Sequence, residues 1–420
     1  MENHTFDNVF GMYPTMNRSV RSGLAAVLQR PDDALHVPRG VGLTQVPDGA
    51  SWTASPGESS YVADWDNGRM DGFAANSGIQ ALTYFSSSQL AIEWDWAEEY
   101  SIADRYFSSC LCMTSPNRLY SLAGDAAGLT DNSGPPPFIP MNRSIFGQLN
   151  DNRVSWGYFV RDPSQHNFVL DYFKGIGNDS SRIQSWAAFD AALRHGSLPS
   201  VSWISSVGSG ASGISQHPES NVTVGEEWLL GLVNRVMQSG YWNSTAIFVN
   251  YDEGGGYYDH VPPPQVDGVQ LGFRVPFLVI SPYAKENYVS RTVMNHASIL
   301  AFVDYNWQIP PLNSFVAASG LPIDMFDFNQ RYADGTLVRQ PILLSNGSRY
   351  PIGLQIPLEA LPYKRTGDSG VTLKLLEQMS LNASFLGELQ LLALAGTTLI
   401  VLILYLMAYL DENQQRVNHA

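Results

Sequence analysis

The chain has 420 residues, 44% hydrophobic and 12% aromatic, enough for one large core or two modest ones. Only 15% of residues are charged, below the roughly 25% usual in soluble proteins. The net charge of −15 repels polyanions, so nucleic acid is excluded as a partner, whereas a divalent cation suits this surface. In chain order, the first feature is Glu2-Asn3-His4-Thr5-Phe6-Asp7-Asn8-Val9-Phe10-Gly11, a carboxylate beside an amide. Ile92, Trp96 and Tyr100 recur at helical spacing and predict a helix over 91–106. Cys110 and Cys112 are one residue apart, too close for an easy disulfide and too few for a thiolate zinc site. They read as two small buried hydrophobes.

Next comes Cys112-Met113-Thr114-Ser115-Pro116-Asn117-Arg118-Leu119-Tyr120. Two hydroxyls precede a proline, and an arginine follows, which suits an anionic phosphoryl group. The same stretch reads as a capped helix start with proline at the first position. Both readings are compatible, because a helix N-terminus is itself a phosphate site. Strands are predicted over 155–160, 200–204, 245–251 and 275–280, the last two as apolar runs covered on both faces. A helix over 224–237 places Glu226 and Glu227 in its first turn and buries Trp228, Leu229, Leu232, Val233 and Val236. Alternating helices and buried strands predict a mostly parallel α/β sheet, with ligands collecting beyond the strand ends.

One such end carries Tyr251-Asp252-Glu253-Gly254-Gly255-Gly256-Tyr257-Tyr258-Asp259-His260-Val261-Pro262-Pro263-Pro264. Adjacent carboxylates repel each other, and a bound cation removes that conflict. The alternative is an exposed acidic turn. The glycines leave space for a phosphate to approach. His260 adds an imidazole that can bind metal or move a proton, or it is a surface turn histidine.

Residues 389–410 are nearly all apolar and long enough to span a bilayer, and a transmembrane helix is expected over 387–410. Residues 329–386 read as an accessory segment or stalk, and 411–420 as a short tail. Seven glycosylation sequons, at Asn17, Asn142, Asn178, Asn221, Asn243, Asn346 and Asn382, point to an exported domain. Asn3-His4-Thr5 is formally another, but a ligating Asn3 carries no sugar. The expectation is a single-pass C-terminal anchor in the cell membrane with an extracellular domain over 1–328.

The stretches 2–11, 114–118 and 252–264, in this order, resemble the phosphoesterase family of bacterial, archaeal and plant non-specific phospholipases C and acid phosphatases. Further matches are Gly68-Arg69-Met70-Asp71-Gly72-Phe73, Ala103-Asp104-Arg105-Tyr106-Phe107, Leu198-Pro199-Ser200-Val201-Ser202-Trp203, His217-Pro218 and Arg274-Val275-Pro276. The resemblance implies a three-layer α/β/α sandwich of alkaline-phosphatase-like type. It implies that Glu2, Asn3, Asp252 and Glu253 surround one divalent metal faced by the nucleophile Thr114. Ca, Mg, Mn, Zn or Fe would suit such ligands. His217 and His260 match histidines that contact the phosphoryl group or serve the leaving group. Asn117 and Arg118 match motif positions that bind substrate, with a structural role equally open for Arg118. Ser115 is the alternative nucleophile. The implied substrates are phospholipids or small phosphate esters.

The chain departs from the family in two places. A Pro-Gly-His-Ser-like stretch of relatives reads Ser55-Pro56-Gly57-Glu58-Ser59-Ser60 here, and Glu58 cannot act as an imidazole, which bears on substrate scope and pH optimum. Relatives also carry an export signal and an apolar strand before Glu-Asn. The expectation is that the natural start lies upstream of Met1, since a sheet lacking a central strand leaves its neighbours unpaired. The rival readings are a catalytically silent surface or adhesion protein on this scaffold, and a sulfatase or two-metal mutase. Thr114 offers no sulfatase modification residue, and the ligands for a second metal are missing.

Overall fold

The computed structural model describes residues 1–13, 42–46, 58–132, 139–164, 169–176, 179, 181–206 and 213–330. The chain divides into two units, Met1–Leu344 with Ile352–Thr366, and Ser345–Pro351 with Gly367–Ala420. The second unit lies outside the described residues, as do the 389–410 span and the expected stalk beyond residue 330. Among the described residues no helix is long and apolar enough to cross a membrane.

The elements that position the site are, in order, α1 (Phe6–Phe10), α2 (Glu58–Trp65), α3 (Ala91–Glu99), β1 (Ser101–Ala103), α4 (Thr114–Ala123), β2 (Trp156–Val160) and β3 (Ile183–Ser185). They continue with α5 (Trp186–His195), β4 (Val201–Ile204), α6 (Val222–Gln238), β5 (Ile247–Asn250), β6 (Phe277–Ile280), β7 (Tyr288–Ser290) and α7 (Ala297–Trp307). One sheet runs β7-β1-β6-β5 and another β3-β2-β4. The fold is α/β, but only the second sheet is wholly parallel. In the first, β7 lies parallel to β1, while β6 runs antiparallel to both β1 and β5. The expectation of a mostly parallel sheet is corrected there: apolar pattern fixes burial, not strand direction.

The strands fall where alternation and apolar runs placed them, and β6 is buried at every residue. Strand β5 is not covered on both faces: Ile247, Phe248 and Asn250 are half-buried. It ends its sheet, as β4 ends the other, and β4 is half-buried throughout. Met1 lies beside the end of β5, its amine donating to the Asn250 carbonyl at 2.9 Å and its carbonyl accepting from Asp252 N at 3.2 Å.

Helix α3 stops at Glu99 rather than continuing to 106. Tyr100 leaves helical geometry, and Ser101–Ala103 pair between β7 and β6. Tertiary pairing overrides the helical spacing here. Helix α6 starts two residues earlier than predicted, at Val222, because Asn221 accepts from Thr223 N at 3.0 Å and caps it. Glu226 and Glu227 therefore lie in the second turn, and both are buried. One hydrophobic cluster joins Phe6, Trp96, Trp228 and Phe277. A second joins Leu119, Phe146, Trp156 and Leu300. Helix α4 packs in the second cluster through Leu119 and Leu122.

Candidate active site

Four segments meet at the end of β5. The first is the N-terminal arm. Asn3 adopts the left-handed region at φ 62°, which asparagine enters more readily than most residues. Its backbone N donates to Asp252 Oδ1 at 3.1 Å, and Glu253 N donates to the same oxygen at 2.9 Å. The arm can lie this close because residue 255 is glycine. A Cβ there would sit 2.2 Å from the Asn3 carbonyl oxygen, and Gly255 itself has φ 64°. The space beside Gly255 thus admits Asn3, where the sequence suggested room for phosphate.

Helix α4 brings the third segment. It begins at Thr114, so Thr114 and Ser115 are its first residues and Pro116 its third, not its first. Pro116 is tolerated because first-turn N–H groups have no partner inside the helix. One turn on from Thr114, on the same face, Arg118 donates from Nε to Asp252 Oδ2 at 3.0 Å and from Nη2 to Glu2 Oε1. The fourth segment carries Ser215, whose hydroxyl donates to Glu2 Oε2 and whose carbonyl accepts from Glu2 N at 2.9 Å. His217 N lies 3.3 Å from Ser215 Oγ, and its Nδ1 donates to the Pro218 carbonyl at 2.7 Å. The Nδ1 proton is thereby held on the backbone, and Nε2 is left for exchange.

Glu2, Asn3, Asp252, Glu253, Arg118 and His217 are therefore drawn into one neighbourhood, with Thr114 heading the helix that carries Arg118. Three carboxyls crowd it. Burial, then Asp252, pushes the Glu253 carboxyl up to about 8, while Tyr61 and Gly255 donate to its Oε2. Burial works against the Arg118 charge, but Glu2 and Asp252 outweigh it and keep the guanidinium protonated. Among the described residues the Asn3 side-chain oxygen, buried, has no hydrogen-bond partner. An orphaned amide oxygen near three carboxyls offers oxygen donors of the type a hard divalent cation takes, with Arg118 now paired to Glu2 and Asp252.

Two expected site residues have other surroundings. Asn117 is fully buried and is spent on the loop before the helix. Its Oδ1 accepts from Ser109 N at 2.8 Å and Cys110 N at 3.1 Å, and its Nδ2 donates to the Cys112 carbonyl at 2.8 Å. It shapes the loop, and it also lines a cavity with Arg118 and Asp252. In that loop Cys110 and Cys112 are joined in a disulfide, with Cα atoms 5.2 Å apart. The reading of two free hydrophobes is corrected: the turn brings the Cα atoms to bonding separation. Asn117→Ala leaves two N–H groups without their acceptor and should destabilise the chain by about 2 kcal/mol or more. Thermal unfolding measures it.

His260 belongs to a second cluster. Its backbone N and its Nδ1 both donate to Asp7 Oδ2, each at 2.7 Å. Arg274 binds Asp7 Oδ1 and Asp259 Oδ1, each at 2.8 Å. Asp7, Asp259 and His260 form the one group of His, Cys, Asp or Glu among the described residues whose ligand atoms lie within 4.8 Å of one another. It is a possible acidic metal-binding group, but the Arg274 guanidinium already neutralises it. The carboxylates around Arg118 are spread more widely. The Glu58 side chain lies outside the described residues. Asp7 and Arg274 were visible only as motif letters, and Tyr61 and Ser215 carried no sequence signal.

The chain belongs to the Phosphoesterase family, whose model matches residues 1–310. Similar proteins include phospholipase C A of Mycobacterium tuberculosis, 28% identical over 294 residues, 58% of this chain and 55% of that one. Phospholipase C B of the same organism is 26% identical over 384 residues, 74% of this chain and 73% of that one. Non-specific phospholipase C4 of Arabidopsis thaliana is 26% identical over 361 residues, 72% of this chain and 65% of that one. The chain thus spans about half the length of phospholipase C A, the first of these relatives.

Proposed function

We propose that this chain is a metal-dependent phosphoesterase of the phospholipase C or acid phosphatase type, working through a phosphothreonine on Thr114. The observation that carries the reading is the convergence of Glu2, Asn3, Asp252 and Glu253 beside the helix that Thr114 begins. Membership of the Phosphoesterase family and the phospholipase C names of its relatives support it. Glu2, Asn3, Asp252 and Glu253 would hold one divalent cation, whose charge favours the ionised form of a facing hydroxyl and offsets charge on phosphoryl oxygens.

Thr114 Oγ1 loses its proton to solvent and forms the bond to phosphorus as the bond to the departing alcohol breaks. His217, held by its Nδ1 proton on Pro218 and carrying a second proton on Nε2, gives that second proton to the leaving oxygen, and the attacking water's proton restores it. Water then displaces the phosphoryl group and restores the threonine. His260 enters this scheme as a partner of Asp7 at the edge of the site. The three-layer α/β/α sandwich is part of the same reading, supported by two sheets flanked by helices.

The 389–410 segment would anchor the chain in the cell membrane, with the catalytic domain on the extracellular side. The exposed sequon residues Asn142, Asn221 and Asn243 support export, while Asn3 is buried and would carry no sugar. The test is hydrolysis of a chromogenic phosphate monoester and of phosphatidylcholine vesicles by the full chain. Chelation is expected to lower turnover by about 100-fold or more, with recovery on adding back one of Ca, Mg, Mn, Zn or Fe. Full turnover in excess chelator would overturn the metal. Absence of turnover with every cation would favour the silent surface protein.

A further inference from the structure

Beneath the site lies a buried acid pair that the reaction does not use. Glu93, in the first turn of α3, is 0% exposed and Glu226, on α6, is 4% exposed. Glu226 Oε1 accepts from the backbone N of Ile92 and of Glu93. It caps α3 from a neighbouring helix, where Leu90 at the cap position has no side chain able to do so. Among the described residues the second Glu93 oxygen, buried, has no hydrogen-bond partner, and Glu226 Oε1 lies 3.4 Å from the Glu93 backbone N. Two buried acids this close, with no base bonded to either among the described residues, repel one another when both are charged, and a single proton on the pair relieves that.

The pair is wired to the site. Glu93 Oε1 accepts from Gln216 Nε2 at 2.7 Å and lies 3.5 Å from the Tyr251 hydroxyl, which donates to Gln216 Oε1. The Gln216 carbonyl accepts from His4 Nε2 at 2.6 Å. Each network member is the chain neighbour of a candidate site residue: His4 of Asn3, Gln216 of His217, Tyr251 of Asp252. Gln216 is held at φ 64°, and it packs so closely on α6 that a Cβ at Gly225 would lie 2.5 Å from its Cγ. Such backbone persists only where its surroundings enforce it.

We propose that Glu93 and Glu226 hold one proton between them, and that this pair, through Gln216 and Tyr251, clamps the backbone arms bearing Asn3, His217 and Asp252 and gives the site an alkaline limit. The inference rests on reading those arms as the phosphoesterase site. Glu93, Glu226, Gln216 and Tyr251 are positioning residues, since none is placed on substrate.

The electrostatics agree. Burial raises both carboxyls, Glu226 to about 11, where Glu93 adds to the effect. The other titratable groups facing the pair do not offset it. Burial leaves Tyr251 neutral well past its ordinary range, brings His4 down to about 4, and lowers the Met1 amine. Among the described residues no Lys or Arg acts on either carboxyl. An acid raised in the folded chain contributes stability that is fully present below its unfolded value and is lost as pH rises toward its folded value. The pair therefore loosens on the alkaline side.

Glu226→Gln tests this in the full chain, because an amide keeps the acceptor for α3 and donates permanently to Glu93. Thermal unfolding from acid to alkaline pH is compared with wild type, beside the pH profile of phosphate-ester kcat and KM. The melting temperatures should coincide near pH 4 and separate as pH rises, with the variant higher. The alkaline limb of kcat should move up by about one pH unit or more, with KM little changed. Glu93→Gln, which places the amide on the other partner, should do the same and stands in if the first variant folds poorly. Gln216→Ala should lower kcat by about 10–100-fold. Melting curves of both glutamine variants that track wild type at every pH would overturn the shared proton. An unchanged kcat in Gln216→Ala would overturn the clamp. A wild-type chain without hydrolysis would remove the phosphoesterase reading, while the melting comparison would still decide the proton.

Discussion

Thr114→Ala is expected to lower phosphate-ester turnover by at least about 1,000-fold with no loss of folded protein. Thr114 is the first residue of α4 and is half-buried, so its side chain can be removed without opening the core. Its neighbour cannot replace it. Ser115 is fully buried, and its Oγ is sealed from solvent, which separates two hydroxyls that the sequence alone left as alternatives. Ser115→Ala should therefore retain near wild-type rates, and Thr114→Ser should retain a measurable share. The position also favours the chemistry. A phosphoryl group there meets the positive end of the α4 dipole and lies one turn from Arg118. Rapid quenching during turnover, followed by mass spectrometry of the Thr114 peptide, should find it phosphorylated. A Thr114→Ala protein keeping more than about a tenth of the wild-type rate would remove threonine as the nucleophile.

Much of this architecture could be read from residue patterns, for reasons that differ by element. Strands β2, β4, β5 and β6 announce themselves as short apolar runs between turn residues, and α6 by its apolar face. The direction of β6 was not legible, since its FLVI sequence packs equally well either way. The end of α3 was hidden because Tyr100 keeps helical spacing while Ser101–Ala103 obey strand pairing from distant parts of the chain. The site motifs marked Glu2, Asn3, Asp252 and Glu253, but not what organises them. Ser215 bonds Glu2 across 213 positions, and Tyr61 bonds Glu253 across 192. Glu226 illustrates the same limit. Its carboxylate suits a helix start by local rules, yet it is buried one turn further in and caps a different helix. Asn117, a motif letter beside Arg118, proves to be the staple of the disulfide loop.

The largest stability effect is expected at Arg274, which lies in the Arg-Val-Pro motif and is 0% exposed. Its guanidinium joins Asp7 and Asp259, donates from Nη1 to the Asp104 carbonyl at 2.9 Å, and lies 4.6 Å over the Phe6 ring. Burying such a charge is unfavourable by itself, but removing it is worse, because two buried carboxylates then face each other with only His260 beside them. Arg274→Ala should lower unfolding free energy by about 3–5 kcal/mol, a shift of roughly 4–7 °C in melting temperature for a domain of this size. Arg274→Lys keeps the charge but loses the fork that spans both carboxylates, so it should recover only part of the deficit. The pH dependence has a definite sign. Burial already raises Asp259 while Arg274 opposes that rise. Without Arg274, folding must take up protons at this cluster, so the variant's deficit should be smallest near pH 4 and grow as pH increases. Activity should fall as well, since Asp7 sits on α1 directly after the arm that carries Glu2 and Asn3. Melting of Arg274→Ala within about 1 kcal/mol of wild type, or a deficit that shrinks toward alkaline pH, would show that the cluster does not depend on this charge.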